Sequence, residues 1–424
     1  MFTSLISELS TTSLAEILPL RSTPVEESDT RPALQDPLFS AVLVNKSSAL
    51  EEHVPAWEDL AASALEPNPF YEHWMLLPAL KAFGQGEDIR VILIFACDRA
   101  RPSQPPLLCG LFPLERKARY RGFPIATLSL WKHLFCFLCT PLIRAEYGRE
   151  CLAAFFDWLA SDSNDCPLME FNFIAGEGPL YRLLASRFNE QASLTFVSEC
   201  FTRAMFRPAA DAETYLKAAI SRSHRKDLRR KQKRLSELGE FEYTALEPGQ
   251  DPDPWLEEFL QIESSGWKKE DGGALASSDS SRNFFMAAAK EAHRRNRLMM
   301  IASRVDGRPV AMKCNFLAGP GSFAFKIGFD ENFSHFSPGM LLEIENIRRL
   351  HAMNKIQWMD SCATPDHFMI NRLWTDRRII QTTLVSTGKR PGDLAVSLMP
   401  LLRWLNRKRL SLRGAHGKRN FNGG

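Results

Sequence analysis

The sequence predicts an α/β chain, of the mixed-sheet α+β kind, built from two halves with one order of elements. Three observations carry this. Residues 298–329 hold three apolar runs separated by Asp306-Gly307 and Gly319-Pro320-Gly321. Glycine accepts positive φ without a Cβ clash, so these are hairpin signals and the runs read as an antiparallel meander. A helix–strand–helix–strand series follows the meander, and two helices precede it. The same order of nine elements can be read upstream, without any residue-level repeat.

Taken in order, residues 1–40 are rich in Ser, Thr and Pro and read as a loose arm. The first half, 41–207, predicts helices over 55–65 and 71–83, then strands over 91–97, 107–114 and 125–131. A helix over 146–160, strand "LMEFNFI", helix "PLYRLLASRF" and strand "LTFVSECFTRAMF" complete it. The second half, 208–388, opens with a basic helix over 221–238. Helices "DPWLEEFLQIESSGW" and "SRNFFMAAAKEAHRR" precede the meander. In "SPGMLLEIENIRRLHAM", Met340, Leu341, Ile344 and Ile347 share one helical face, Ser337 suits the N-cap and Pro338 the first turn. Strand "KIQWMDS", helix "DHFMINRLW" and strand "RIIQTTLVS" close the half, and 389–424 form a basic tail.

The 424 residues are 45% hydrophobic and 24% charged, as in a folded globular protein, and the net charge is +3. A polyanion site must therefore be local. From Arg403 onward the tail has seven Lys or Arg and no acid. The nine cysteines are scattered; Cys136 and Cys139 are the one close pair, and no second ligand pair stands at metal-site spacing. Reduced, buried thiols and a cytoplasmic setting are expected, peripheral to the inner face of the membrane if the basic helix binds lipid. The N-terminus lacks the basic and apolar regions of a signal peptide. Residues 126–143 are interrupted by Lys132, His133 and Pro141, which predicts a buried strand plus loop and no membrane span.

Arg222, Arg225, Lys226, Arg229, Arg230, Lys231, Lys233 and Arg234 stand against one acid, Asp227, with Leu228 and Leu235 as a thin apolar seam. No aromatic interleaves these charges, so the helix offers no base-stacking platform. It is a solvated face, or it attracts phosphate: an anionic lipid surface, a lipid-linked sugar phosphate or a nucleotide sugar, with transfer RNA next and DNA excluded.

Several segments together resemble one family. They are "NPFYEHWMLLPAL", "SHRKDLRRKQKRL", "IESSGWKKEDGGAL", "GRPVAMKCNFL", "FAFKIGFDENFSHFSPGMLLEIENI", "MDSCA" and "LWTDRR". The chain is similar to the GNAT acyltransferase superfamily in its tandem form, within it to the CelD/BcsL-type acetyltransferases, and more distantly to Fem-type aminoacyltransferases. The resemblance implies a tandem GNAT-like fold, acetyl-CoA as co-substrate and no metal. It implies acetyl transfer to an amino sugar, free or lipid-linked, in surface-polysaccharide biosynthesis. A Fem-like reaction with aminoacyl-tRNA, or a non-catalytic binding protein on the same fold, are the rival readings. The family's cofactor loop, Arg/Gln-x-x-Gly-x-Gly/Ala, is replaced here by "SHFSPGM", with one glycine and no basic residue.

Four constellations carry the expected chemistry. Ser337, Gly339 and Met340 open a helix whose free N–H groups favour an anion, with Lys326 and Asp330 just before; an ordinary Ser-Pro helix start looks the same in sequence. In "DSCATPDH", Asp360 and then His367 are the candidate bases for the acceptor proton, while Cys362 reads as a buried, inert thiol. Glu263, Trp267 and Lys268 could line an acceptor pocket, or Trp267 could simply anchor its loop. Trp374 and Arg377, with Arg378, could meet an anionic substrate group, or serve as structural residues.

Overall fold

A computed structural model describes residues 34–264 and 274–419, with side chains as far as residue 405. The first half comprises β1 (Pro37–Val44), α1 (Ser47–Leu50), α2 (Val54–Ala62), α3 (His73–Phe83), β2 (Asp88–Asp98), β3 (Leu107–Lys117), β4 (Thr127–Leu130), β5 (Leu142–Ile143), α4 (Gly148–Ala160), β6 (Leu168–Ala175), α5 (Pro179–Glu190) and β7 (Thr195–Phe206). The second begins with α6 (Ala212–Ala219), α7 (Arg222–Ser236), β8 (Phe241–Ala245), α8 (Asp253–Ser264) and α9 (Asp279–Arg294). It continues with β9 (Leu298–Val305), β10 (Arg308–Ala318), β11 (Gly321–Phe329), α10 (Pro338–Ala352), β12 (Trp358–Asp360), α11 (Phe368–Leu373), β13 (Asp376–Ser386) and α12 (Arg390–Arg419). Every expected element from residue 55 onward is present within a few residues. β1, inside the stretch read as an arm and first-half start, is an added edge strand on β2. The basic tail adds α12.

Among the described residues the strands form one mixed sheet in the order β1-β2-β3-β4-β6-β13-β7-β12-β11-β10-β9-β8, with β5 on β3. The halves exchange their last strands. β13, from the second half, pairs with β6, while β7, from the first, pairs with β12. β7 and β13 pair with each other over most of their lengths. Neither half therefore closes its own sheet.

In each half two parallel strands touch only at their starts. The β11–β12 ladder covers Gly321–Phe323 against Trp358–Asp360, after which β11 runs on to Phe329 and β12 ends. The β4–β6 ladder likewise covers Thr127–Ser129 against Leu168–Glu170 before β6 runs on. Each pair parts into a V. In the first half the chain itself occupies this place: Trp131, Phe135, Cys136, Leu138 and Cys139 are buried, and Cys139 N–H donates to the Phe173 carbonyl on β6. Across the halves, Phe323 and Phe325 of β11 pack edge-on against Phe70 and Phe137 respectively, burial that fixes the halves in register.

Candidate functional site

The second V ends at the start of α10. Ser337 stands at the N-cap with φ 56° and ψ 50°, a left-handed conformation uncommon for a residue with a side chain. The expected N-cap position is correct, but the side chain makes no capping bond. Its Oγ accepts instead from Lys231 Nζ of α7 at 2.9 Å. The cation missing from "SHFSPGM" is thus supplied by a helix more than a hundred residues upstream. Lys231 lies between Leu228 and Leu235 on the helix, and both leucines are buried. It therefore points along the seam toward the turn at Glu331–Phe336, away from the exposed stripe. Pro338 has no N–H and Met340 N–H donates to the Ser337 carbonyl at 3.0 Å, so Gly339 offers the first open helical donor. A Cβ on Gly339 would sit 3.5 Å from Phe329 and 3.7 Å from Met369, ordinary contact. Met340 is buried in the core beside α10.

Before the turn, Asp330 Oδ1 accepts from Asn332 N–H and caps it. Lys326 Nζ donates to Glu263 Oε1 at 2.8 Å. Glu263 is buried and also accepts from Leu275 N–H at 2.8 Å. A register shift in the β10–β11 ladder, from Cys314↔Lys326 to Phe316↔Phe323, brings Lys326 and Phe325 toward the same aromatic neighbour, Phe135. Glu263 and Lys326 therefore form one ionic pair over β11, at the root of the 265–273 segment. Trp267 and Lys268 lie outside the described residues.

Asp360 has a different place from the one expected of a base. It is fully buried at the strand exchange, with Arg203 Nε 2.7 Å and Arg378 Nη1 2.9 Å from its carboxylate, and it accepts from Cys362 N–H. Burial alone would raise its pKa, but Arg203 and Arg378 overcome that and hold it below the ordinary carboxylate value. A carboxylate so committed neither reaches an acceptor nor gains by taking its proton. The base role for Asp360 is therefore corrected to that of an ion-triad anchor joining β12, β7 and β13. Burial pushes the Cys362 thiol up, as an inert thiol requires. His367 caps α11, its Nδ1 accepting from Ile370 N–H at 3.4 Å.

Trp374 is also corrected. It is buried in the core against Phe206, 5.8 Å from Lys313 Nζ, and presents no face to an anion. Arg377 is exposed, but its guanidinium donates to the carbonyls of Trp374, Asp376 and Asn371 and ties the α11–β13 turn. Arg225, counted among the basic charges of α7, donates to the Lys217 carbonyl at 2.9 Å and caps the end of α6.

Sequence reasoning missed a buried polar network between β10 and α10. Lys313 Nζ donates to Glu343 at 2.7 Å, Asn346 donates to Glu343 at 2.8 Å, and Asn315 donates to Asn346 at 3.0 Å. All four residues are buried. The signal was present: Lys and Asn in the apolar strand "AMKCNFL", and Glu and Asn one turn apart in "LLEIEN". Among the described residues no group of three His, Cys, Asp or Glu could hold a metal ion.

Residues 222–368 match the family described as Acetyltransferase (GNAT) domain. That span runs from α7 through the V to the start of α11, and so contains Lys231, Glu263, Lys326, Ser337 and Gly339. Over that span the chain is similar to a GNAT domain. The chain as a whole has a mixed α/β, GNAT-like fold in two like halves. The structure is similar to that of FemX, with a TM-score of 0.50 at 10% identity, covering 82% of this chain and 96% of that one. A conserved protein of unknown function from Bacteroides thetaiotaomicron VPI-5482 superposes with a TM-score of 0.47 at 9% identity, over 78% of this chain and 97% of that one. A tandem GNAT protein from the clavulanic acid biosynthesis pathway gives 0.41 at 10% identity, over 84% and 99%. No curated protein matches the sequence.

Proposed function

We propose that the GNAT-like domain transfers an acyl group, most simply acetyl from acetyl-CoA, to an amine or hydroxyl of a sugar. The observation that carries this reading is the V between β11 and β12 ending at a helix start already furnished with a cation, Lys231. A helix N-terminus favours a phosphate through its free N–H groups and its dipole. Lys231 then plays the part that a basic loop residue would play. The parted strands are where we place an extended donor arm. Phe173 and the 131–141 segment fill the equivalent place in the first half, which supports a scaffold role for residues 41–207.

The chemistry asks for a carbonyl carbon attacked by the acceptor, a C–S bond broken, and two proton movements. The acceptor proton needs a base, and the departing thiolate takes a proton to leave as the thiol. Glu263 is buried against Gly328 of β11 and committed to Lys326 and to the Leu275 N–H, so it is a positioning group. We assign the first task to His367, the second candidate in the sequence, at the N-cap of α11, where the neighbouring Met369 lies beside Gly339. Sugar acceptors are favoured by the sequence resemblance to CelD/BcsL-type enzymes; aminoacyl-tRNA would use the same V and the exposed face of α7.

Calorimetry on the purified chain tests the donor. Acetyl-CoA should bind, and Lys231→Met should weaken it roughly tenfold, the scale of one charge-assisted hydrogen bond. Binding of charged transfer RNA with no binding of acetyl-CoA would transfer the reading to the Fem-like reaction. Binding of neither would leave a protein on this fold without acyl-donor chemistry.

A further inference from the structure

We infer that α12 is an in-plane anchor for an anionic membrane surface, a property separate from acyl transfer. One face of this helix is seated on the protein: Ala395, Val396 and Met399 are buried against Leu168, Leu384 and Tyr120. Its start is fixed too. Ser386 Oγ donates to Asp393 at 2.6 Å, and Lys389 Nζ donates to the Ser161 carbonyl at 3.3 Å. Further along, Arg403 donates to the Val197 carbonyl at 3.1 Å.

The opposite face is apolar and open. Leu394, Leu398, Leu401 and Leu405 are 63%, 42%, 52% and 48% exposed, and Trp404 beside them is 54% exposed. Their spacing of four, three and four residues places the leucines in one stripe. A single exposed leucine needs no explanation, but a continuous stripe on a seated helix does.

Charge decides the occupant. After Asp393 the sequence contains no acid, while Arg403, Arg407, Lys408, Arg409, Arg413, Lys418 and Arg419 follow. A second copy of the chain on this stripe would bring two cationic segments together with no acid of either to offset them. A bilayer with anionic headgroups takes both parts: the leucines enter the acyl boundary and the cations meet phosphate. Trp404 falls between the leucines and the basic run, where an amphipathic ring suits the headgroup level. No described helix is long and apolar enough to cross a membrane, so α12 would lie on the surface.

The test is co-sedimentation of the full chain with vesicles of phosphatidylcholine alone and with about a third phosphatidylglycerol. Binding should require the anionic lipid and weaken with salt. The variant Leu398→Gln, Leu401→Gln, Leu405→Gln alters outward side chains only. It should keep its circular dichroism, melting temperature and acetyl-CoA affinity, yet lose vesicle affinity by roughly tenfold or more. Absence of binding to either vesicle overturns the proposal. So does binding that the glutamines leave unchanged, or a wild-type dimer in sedimentation analysis that the same variant dissolves, which would make the occupant a second copy.

Discussion

At Asp360 one carboxylate sits between two arginines that face each other across the β7–β13 ladder, Arg203↔Arg378. Removing its charge leaves two buried guanidinium groups without their shared counter-ion, a change of about 3–5 kcal/mol in stability. Asp360→Asn should therefore lower the melting temperature markedly and reduce activity only as folded protein is lost. A fall in kcat with an unchanged melting temperature would return Asp360 to the chemistry. His367→Asn, which keeps a residue able to cap α11, tests the base assignment: kcat should drop roughly a hundredfold, the usual scale for removing a general base, while acetyl-CoA binding persists. Gly339→Ala places its methyl at ordinary contact distances. The chain should fold normally and bind acyl-CoA less well if the donor needs the bare backbone there.

The element of most consequence is α7. Its inward side supplies Lys231 to the α10 start, while Arg222, Lys226, Arg229 and Lys233 share an outward stripe and are exposed. These two sides predict different outcomes. Replacing the four outward residues by Gln preserves helix propensity and should leave acetyl-CoA affinity nearly constant. Binding of a nucleotide sugar, of anionic vesicles or of transfer RNA should weaken and lose part of its salt dependence. Equal binding of all three before and after the change would identify the stripe as a solvated face. Arg225 is left intact in this variant because it caps α6.

Across the whole molecule, the exchange of β7 and β13 makes the halves one folding unit. Residues 1–207 expressed alone would leave β6 and β7 without the strand that lies between them, and unpaired edges of this kind aggregate. Soluble, monomeric first half would contradict this. Acid should also find a weak point where the halves meet. His133 is buried among Phe83, Trp131 and Phe284, and burial pushes its imidazole down to about 3. The unfolded chain binds this proton near pH 6.5, so stability is fully present above that value. It declines as pH falls toward 3, by about 1.4 kcal/mol per pH unit. His133→Phe should shift the acid unfolding midpoint to lower pH, read by fluorescence or circular dichroism.

The order of elements, the meander and the seam of α7 were determined by the sequence itself, because each rests on local periodicity and turn chemistry. Asp306-Gly307 and Leu228 with Leu235 say what they do within one window. The tandem resemblance was legible for the same reason, since its segments are contiguous. The partner of a side chain is not local, and here sequence reading of the site stopped. Nothing near Ser337 announces that its cation comes from Lys231, and nothing near Asp360 names Arg203, 157 residues away. The strand exchange was equally hidden, because β7 and β13 have the same apolar pattern whichever neighbour they pair with. Only packing chose their places, by bringing three strands to one carboxylate and burying it there.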